Sequence, residues 1–149
     1  MSKNSISLHR VLKASPEKVF RAFSDPIAHS NWIPPYGFLC TVQHFDFKVG
    51  GSYKMSFTNF TTGNVHSFGG TFLEIIPNAF IKNSDKFDDP SLPGEMITSI
   101  WMNKTSCGTE LTVLQEGIPS EIPTEMCYLG WQDSLDKLTK LVEPEIPDA

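Results

Sequence analysis

The stretch "CYLGWQDSLDKLTKLV", Cys127 to Val142, carries the pattern that decides the fold. In a helix from roughly Thr124 to Val142, the residues Cys127, Trp131, Leu135, Leu138 and Val142 recur at intervals of four, four, three and four, which makes a core-facing stripe. Charges fall mostly elsewhere. Asp133 with Lys137 and Asp136 with Lys140 have the i,i+4 spacing and orientation expected to pair them on a solvated outer face. One residue disagrees with the helix: Gly130 costs roughly 1 kcal/mol relative to alanine in a helix interior. Its position beside Trp131 predicts either a backbone approaching a strand closely or a space kept open beneath the helix.

Upstream of that helix the pattern has a different period. "SISLHRVLK" places Ile6, Leu8 and Leu12 on one face and Ser7, His9 and Lys13 on the other, a half-buried strand. "ASPEKVFRAFSDP" then supplies Ser15 as N-cap, Pro16 at the first helical position and an apolar stripe of Val19, Phe20 and Phe23, so a helix is predicted to about Ser24. Pro26 stops it by disfavouring helical geometry at Asp25, and a second short helical turn is predicted up to Trp32, before "IPPYG". From Leu39 to Glu116 strands alternate with turn chemistry such as "VGG", "TTGN", "DDPSLPGE" and "KTSCG", which predicts about six antiparallel strands in a meander. The class is therefore α+β, with no repeat or linker to divide residues 1–149.

Composition narrows the function. A chain of 149 residues, 40% hydrophobic, is the size of one domain with a sizeable core. A net charge of −5 and the lack of any Lys/Arg cluster argue against nucleic acid or an anionic membrane as partner. The N-terminal "MSKNSISLHRVLKASPEK" contains no apolar run of signal-peptide length, and no segment approaches the ~18 apolar residues of a membrane span, so a cytoplasmic location is expected. Cys40, Cys107 and Cys127 form no CxxC pair and read as free thiols. The four histidines lie on different elements; only His44 and Asp46 have a spacing that would share a metal, and neither a metal nor a cofactor is expected. His9 and His29 read as surface residues. There is no GxSxG elbow or other catalytic set, so no catalytic residue is assigned and enzyme activity stays open.

Five stretches, "SPEKVFRAFSDPIAHSNW", "FDFKVGGSY", "GGTFLEIIP", "GTELTVLQEGIP" and "GWQDSLDKL", resemble, in order, the motifs of the activator-of-heat-shock-90-ATPase homologue family. That family lies within the helix-grip superfamily (SRPBCC) that includes START domains and Bet v allergens. The resemblance spans Ile6 to Val142 and implies a curved antiparallel sheet of six to seven strands wrapped around the C-terminal helix. It also implies a cavity between sheet and helix that often takes an apolar ligand, with "GW" of the family matching Gly130 and Trp131.

Strand alternation sets Tyr53, Met55 and Phe57 on one face, and His66, Phe68, Gly70 and Phe72 on one face. These are core residues or the lining of a pocket, with Tyr53, His66 and Gln115 as its polar groups. Trp32 and Tyr36 are expected near its mouth if the family layout holds, and Trp131 under the helix against the sheet. The candidate ligand-binding set is thus Trp32, Tyr53, Met55, Phe57, His66, Phe68, Phe72, Gln115 and Trp131. Binding or carriage of a small hydrophobic molecule is the favoured function. A polyketide cyclase-like enzyme, with His66 or Glu116 carrying a proton, is the alternative. A third class, a chaperone cofactor or stress-response interaction module, follows from the family name. A monomer or a homodimer is equally compatible with the sequence.

Overall fold

The computed structural model describes residues 4–148. Its order is β1 (Ile6–Leu12), α1 (Pro16–Ser24), α2 (Pro26–Trp32), β2 (Phe38–Phe45), β3 (Ser52–Asn59), β4 (Val65–Ile76), β5 (Phe80–Phe87), β6 (Met96–Thr105), β7 (Gly108–Glu116) and α3 (Thr124–Val142). The seven strands form one antiparallel sheet in the order β1-β7-β6-β5-β4-β3-β2, so the meander is interrupted only where β1 adds beside β7. This curled half-barrel with a C-terminal helix and short helices after the first strand is a helix-grip architecture.

Local chemistry explains the two short helices. Ser15 Oγ accepts from the Lys18 N–H at 3.2 Å, with Pro16 preset for the first turn. Asp25 ends α1 and starts α2: its backbone is extended before Pro26, its N–H still reaches the Arg21 carbonyl, and its Oδ1 accepts from the N–H groups of Ile27 (2.9 Å) and Ala28 (3.4 Å). A two-turn helix thereby leaves α1 sharply enough to carry Trp32 back onto Ala22.

The sheet bends because β2 and β4 each carry an irregularity, between Val42 and His44 and between Phe72 and Glu74. Glycine is obligatory at the centre of β4. A Cβ on Gly70 would lie 1.9 Å from the Ser84 carbonyl oxygen, closer than two unbonded atoms can come.

The helix stripe is confirmed at its C-terminal end, where Leu135, Leu138 and Val142 are fully buried. They pack with Leu12, Val19, Leu111 and Val113 in the main core. At the other end Cys127 and Trp131 are only partly buried. The outer-face pairing differs from expectation. Arg10, from β1, takes Asp136 at 2.6 Å, while Lys140 sits 5.9 Å over the Tyr36 ring and Lys137 donates to the Pro34 carbonyl at 2.9 Å. A bidentate-capable guanidinium on a neighbouring strand and a nearby aromatic face outcompete flexible i,i+4 partners worth only a few tenths of a kcal/mol. No helix among the described residues is long and apolar enough to cross a membrane.

Candidate ligand-binding cavity

Two adjoining chambers lie between α3 and the concave face of the sheet, and Ile33, Phe68, Asp85, Gln115 and Trp131 line both. The inner chamber, about 60 Å³, is walled by Phe45, Tyr53, Met55 and Phe72 and reaches His29 on α2. The outer one, about 190 Å³, extends under the start of α3 past Phe57, His66, Phe87, Met96 and Gly130. Its rim is the segment after α2. Ser134 Oγ donates to the Ile33 carbonyl at 2.6 Å and Lys137 holds that of Pro34, so Ile33 and Pro35 are fixed against the helix.

Gly130 serves the space rather than a close approach. A Cβ there would meet only Pro35 Cγ, at 3.8 Å, which is ordinary contact. Gly130→Ala should therefore stabilise the protein by about 0.5–1 kcal/mol through helix propensity. Gly130→Leu should instead fill the outer chamber; equal melts and equal probe binding for the two variants would show that the glycine borders no functional space.

Most residues selected from sequence converge here. Tyr53, Met55, Phe57, His66, Phe68, Phe72, Gln115 and Trp131 all line one or both chambers. Their roles differ from expectation at three points. The Tyr53 hydroxyl is already occupied, donating to the Ser84 carbonyl at 2.9 Å and accepting from Asn83 Nδ2 at 3.2 Å; burial and the neighbouring Asp85 charge push its ionisation far upward. His66 is exposed at the outer edge, its ring centroid 6.5 Å from that of Phe38 and tilted 59° to it. Trp32 is not at the mouth at all. It is fully buried between α1 and α2, its Nε1 donating to the Ala22 carbonyl at 2.8 Å, and the rim falls to Ile33 and Pro35, with Tyr36 half exposed outside them. The reason is chain direction: the tight turn at Asp25 folds α2 back on α1, so the last residue of α2 points into the core.

The structure adds two groups. His29, read as a surface residue, lies among Phe23, Trp32 and Phe45 and lines the inner chamber. Its Nδ1 is 3.0 Å from the Phe23 carbonyl, which only accepts, so Nδ1 carries the proton and Nε2 keeps a lone pair. Burial holds the imidazole down at about 4, so it is neutral at physiological pH. Asp85, on β5, lines both chambers. Its Oδ1 is shielded from bulk water and has no hydrogen-bond partner among the described residues. Burial raises the carboxyl to about 7, against the pull of the Tyr53 hydroxyl and the Lys86 N–H toward the charged form. The signal for Asp85 is present in "FIKNSDKF", where it shares strand parity with the inward Ile81 and with Phe87. Glu116, the other proton carrier considered, is an exposed strand end. His9 is at the surface as expected, 3.0 Å from Glu110, and no His/Cys/Asp/Glu cluster able to hold a metal occurs among the described residues.

A model of the family described as Activator of Hsp90 ATPase homolog 1-like protein matches residues 13–143. The chain belongs to that family. The crystal structure of protein CV1439 from Chromobacterium violaceum is 54% identical, with 97% of this chain and 100% of that one covered at a TM-score of 0.95. A Rhodobacter sphaeroides protein, 19% identical over 94% of this chain and 92% of its own, superposes at 0.82. Protein Ms6760 from Mycobacterium smegmatis, 14% identical over 97% and 93%, superposes at 0.79. These last two show the shared fold alone. Comparison with curated proteins gave no match. The matched span of the Hsp90-activator-like family holds both the "GW" step, Gly130 and Trp131, and the rest of the cavity wall.

Proposed function

We propose that the protein binds a small, largely apolar molecule in the two chambers between α3 and the sheet. The observation that carries this reading is a wall of aromatic and Met side chains surrounding a few polar groups, one of which, Asp85, keeps a buried oxygen, Oδ1, without a hydrogen-bond partner among the described residues. A close-packed core would fill that volume, and a buried oxygen without a hydrogen bond costs stability that a bound donor would return. Ligand sites have this makeup: apolar surface for affinity and one or two polar groups for orientation. The acidic chain and the absence of a basic cluster fit such a partner better than a nucleic acid.

Titration with the fluorescent probe N-phenyl-1-naphthylamine tests the reading. Wild type should enhance its emission saturably, and Phe57→Trp, which adds volume in the outer chamber, should weaken the probe about tenfold or more with the melting temperature held within a few degrees. Loss of the fold with Phe57→Trp, and no wild-type probe binding to lose, would mean that the site is packed core.

A second reading rests on Asp85 alone: a carboxyl near 7 gives and takes protons at neutral pH, as acid–base catalysis on a bound substrate requires. Under that reading Asp85→Asn would abolish turnover of a ligand that still binds.

A further inference from the structure

Resting on the cavity reading above, we infer that the ligand's polar end is a protonated amine, its N–H donors received by Asp85 and its hydrocarbon laid against the aromatic walls. The inventory of free polar atoms points this way. Several donors facing the cavity are already committed: Gln115 Nε2 donates to Thr98 Oγ1 at 3.2 Å, the Tyr53 hydroxyl to Ser84, Asn83 Nδ2 to Tyr53 and Ser84, and His29 Nδ1 to Phe23. The acceptor left over is Asp85 Oδ1, buried and without a hydrogen-bond partner among the described residues. A ligand ending in an acceptor would leave the Asp85 carboxylate oxygen unmatched, whereas an ammonium brings donors to it.

Charge gives the same answer. Among the described residues, no lysine or arginine lines either chamber. Three basic residues on the surrounding elements are engaged elsewhere: Lys54 pairs with Asp88, Lys137 with the Pro34 carbonyl and Arg10 with Asp136. His66, exposed at the outer edge, is the one lining side chain that can carry a positive charge, since His29 is held neutral. An anionic head would therefore meet Asp85 with nothing to balance it, while a cation gains a charge-assisted hydrogen bond and the faces of Phe45, Phe57, Phe68, Phe72 and Trp131.

The test is competition against bound N-phenyl-1-naphthylamine at pH 8 by three molecules of one shape: 2-phenylethylamine, 2-phenylethanol and 3-phenylpropionate. The amine should compete at least about tenfold better than the alcohol, with the carboxylate weakest. Asp85→Asn, which keeps the shape and removes the charge, should erase the amine's advantage and leave the alcohol unchanged. Should the probe bind but the alcohol or carboxylate match the amine, or should Asp85→Asn leave the preference intact, the amine assignment falls and the cavity reading stands. A wild type that binds neither the probe nor any of the three overturns both.

Discussion

Replacing Trp32 by alanine is expected to lower stability by about 3–5 kcal/mol, the range for deleting a large aromatic from a packed interior. Trp32 has no exposed surface and packs edge-on to Phe23 at 4.6 Å between ring centroids, with His29 at 5.1 Å on another side. Truncation opens a void there and strips the Ala22 carbonyl of its 2.8 Å indole donor. Trp32→Phe separates the two effects, keeping most of the ring and losing the hydrogen bond, for a cost of about 1–2 kcal/mol. Urea unfolding of both variants measures this, and a Trp32→Ala midpoint matching wild type would show that α2 is not anchored through this side chain. The cavity should also suffer, because the same helix carries His29 into the inner chamber and leads directly to Ile33 and Pro35 at the rim.

Asp85→Asn has the opposite sign: the variant should be more stable than wild type at pH 8, by about 2–4 kcal/mol. The carboxyl stands at about 7 in the folded protein, raised from 3.8, so folding favours its protonated form. Stability from that group is complete below about 4 and is lost as pH rises through about 7. The amide never ionises and escapes the loss, although its own N–H groups need partners, which trims the gain. His29 works against this in wild type. With its folded value lowered from 6.5 to about 4, it contributes stability that is present above 6.5 and lost as pH falls toward 4. Between about 4 and 6.5 the two slopes oppose each other and the wild-type profile should be nearly flat. Asp85→Asn should expose the His29 limb as stability climbing with pH, and the two proteins should converge near pH 4. Denaturant melts from pH 4 to 8 decide it; a gap between the proteins that stays constant with pH would place Asp85 in an ordinary solvated setting.

Periodicity exposes those features that depend on neighbours close in the chain. The α3 stripe, the Ser15-Pro16 helix start, the Asp25-Pro26 break and the strand parity of Tyr53, Met55 and Phe57 are all of this kind, and each is present in the structure. His29 escaped because a helix of seven residues has too few turns to display a face. Asp85 is hard to single out because "KNSDK" is polar on both parities, and only its even spacing from Ile81 and Phe87 at the two ends of the strand marks it as inward. Trp32 was assigned to the right neighbourhood and the wrong side, since the direction in which α2 leaves α1 is a tertiary matter.

By itself, then, the sequence determined the element types, the antiparallel α+β class, the family and the residues of α3 that face inward, because these follow from spacing and from turn and cap chemistry within a few residues. Only the tertiary structure decided the character of the cavity. Asp85 from β5, Tyr53 from β3, Gln115 from β7, His29 from α2 and Trp131 from α3 meet across large separations in the chain. Whether a carboxyl is charged, a hydroxyl occupied or an imidazole neutral depends on how much water those distant elements exclude and which hydrogen bonds they offer, and neither quantity is written at the residue's own position.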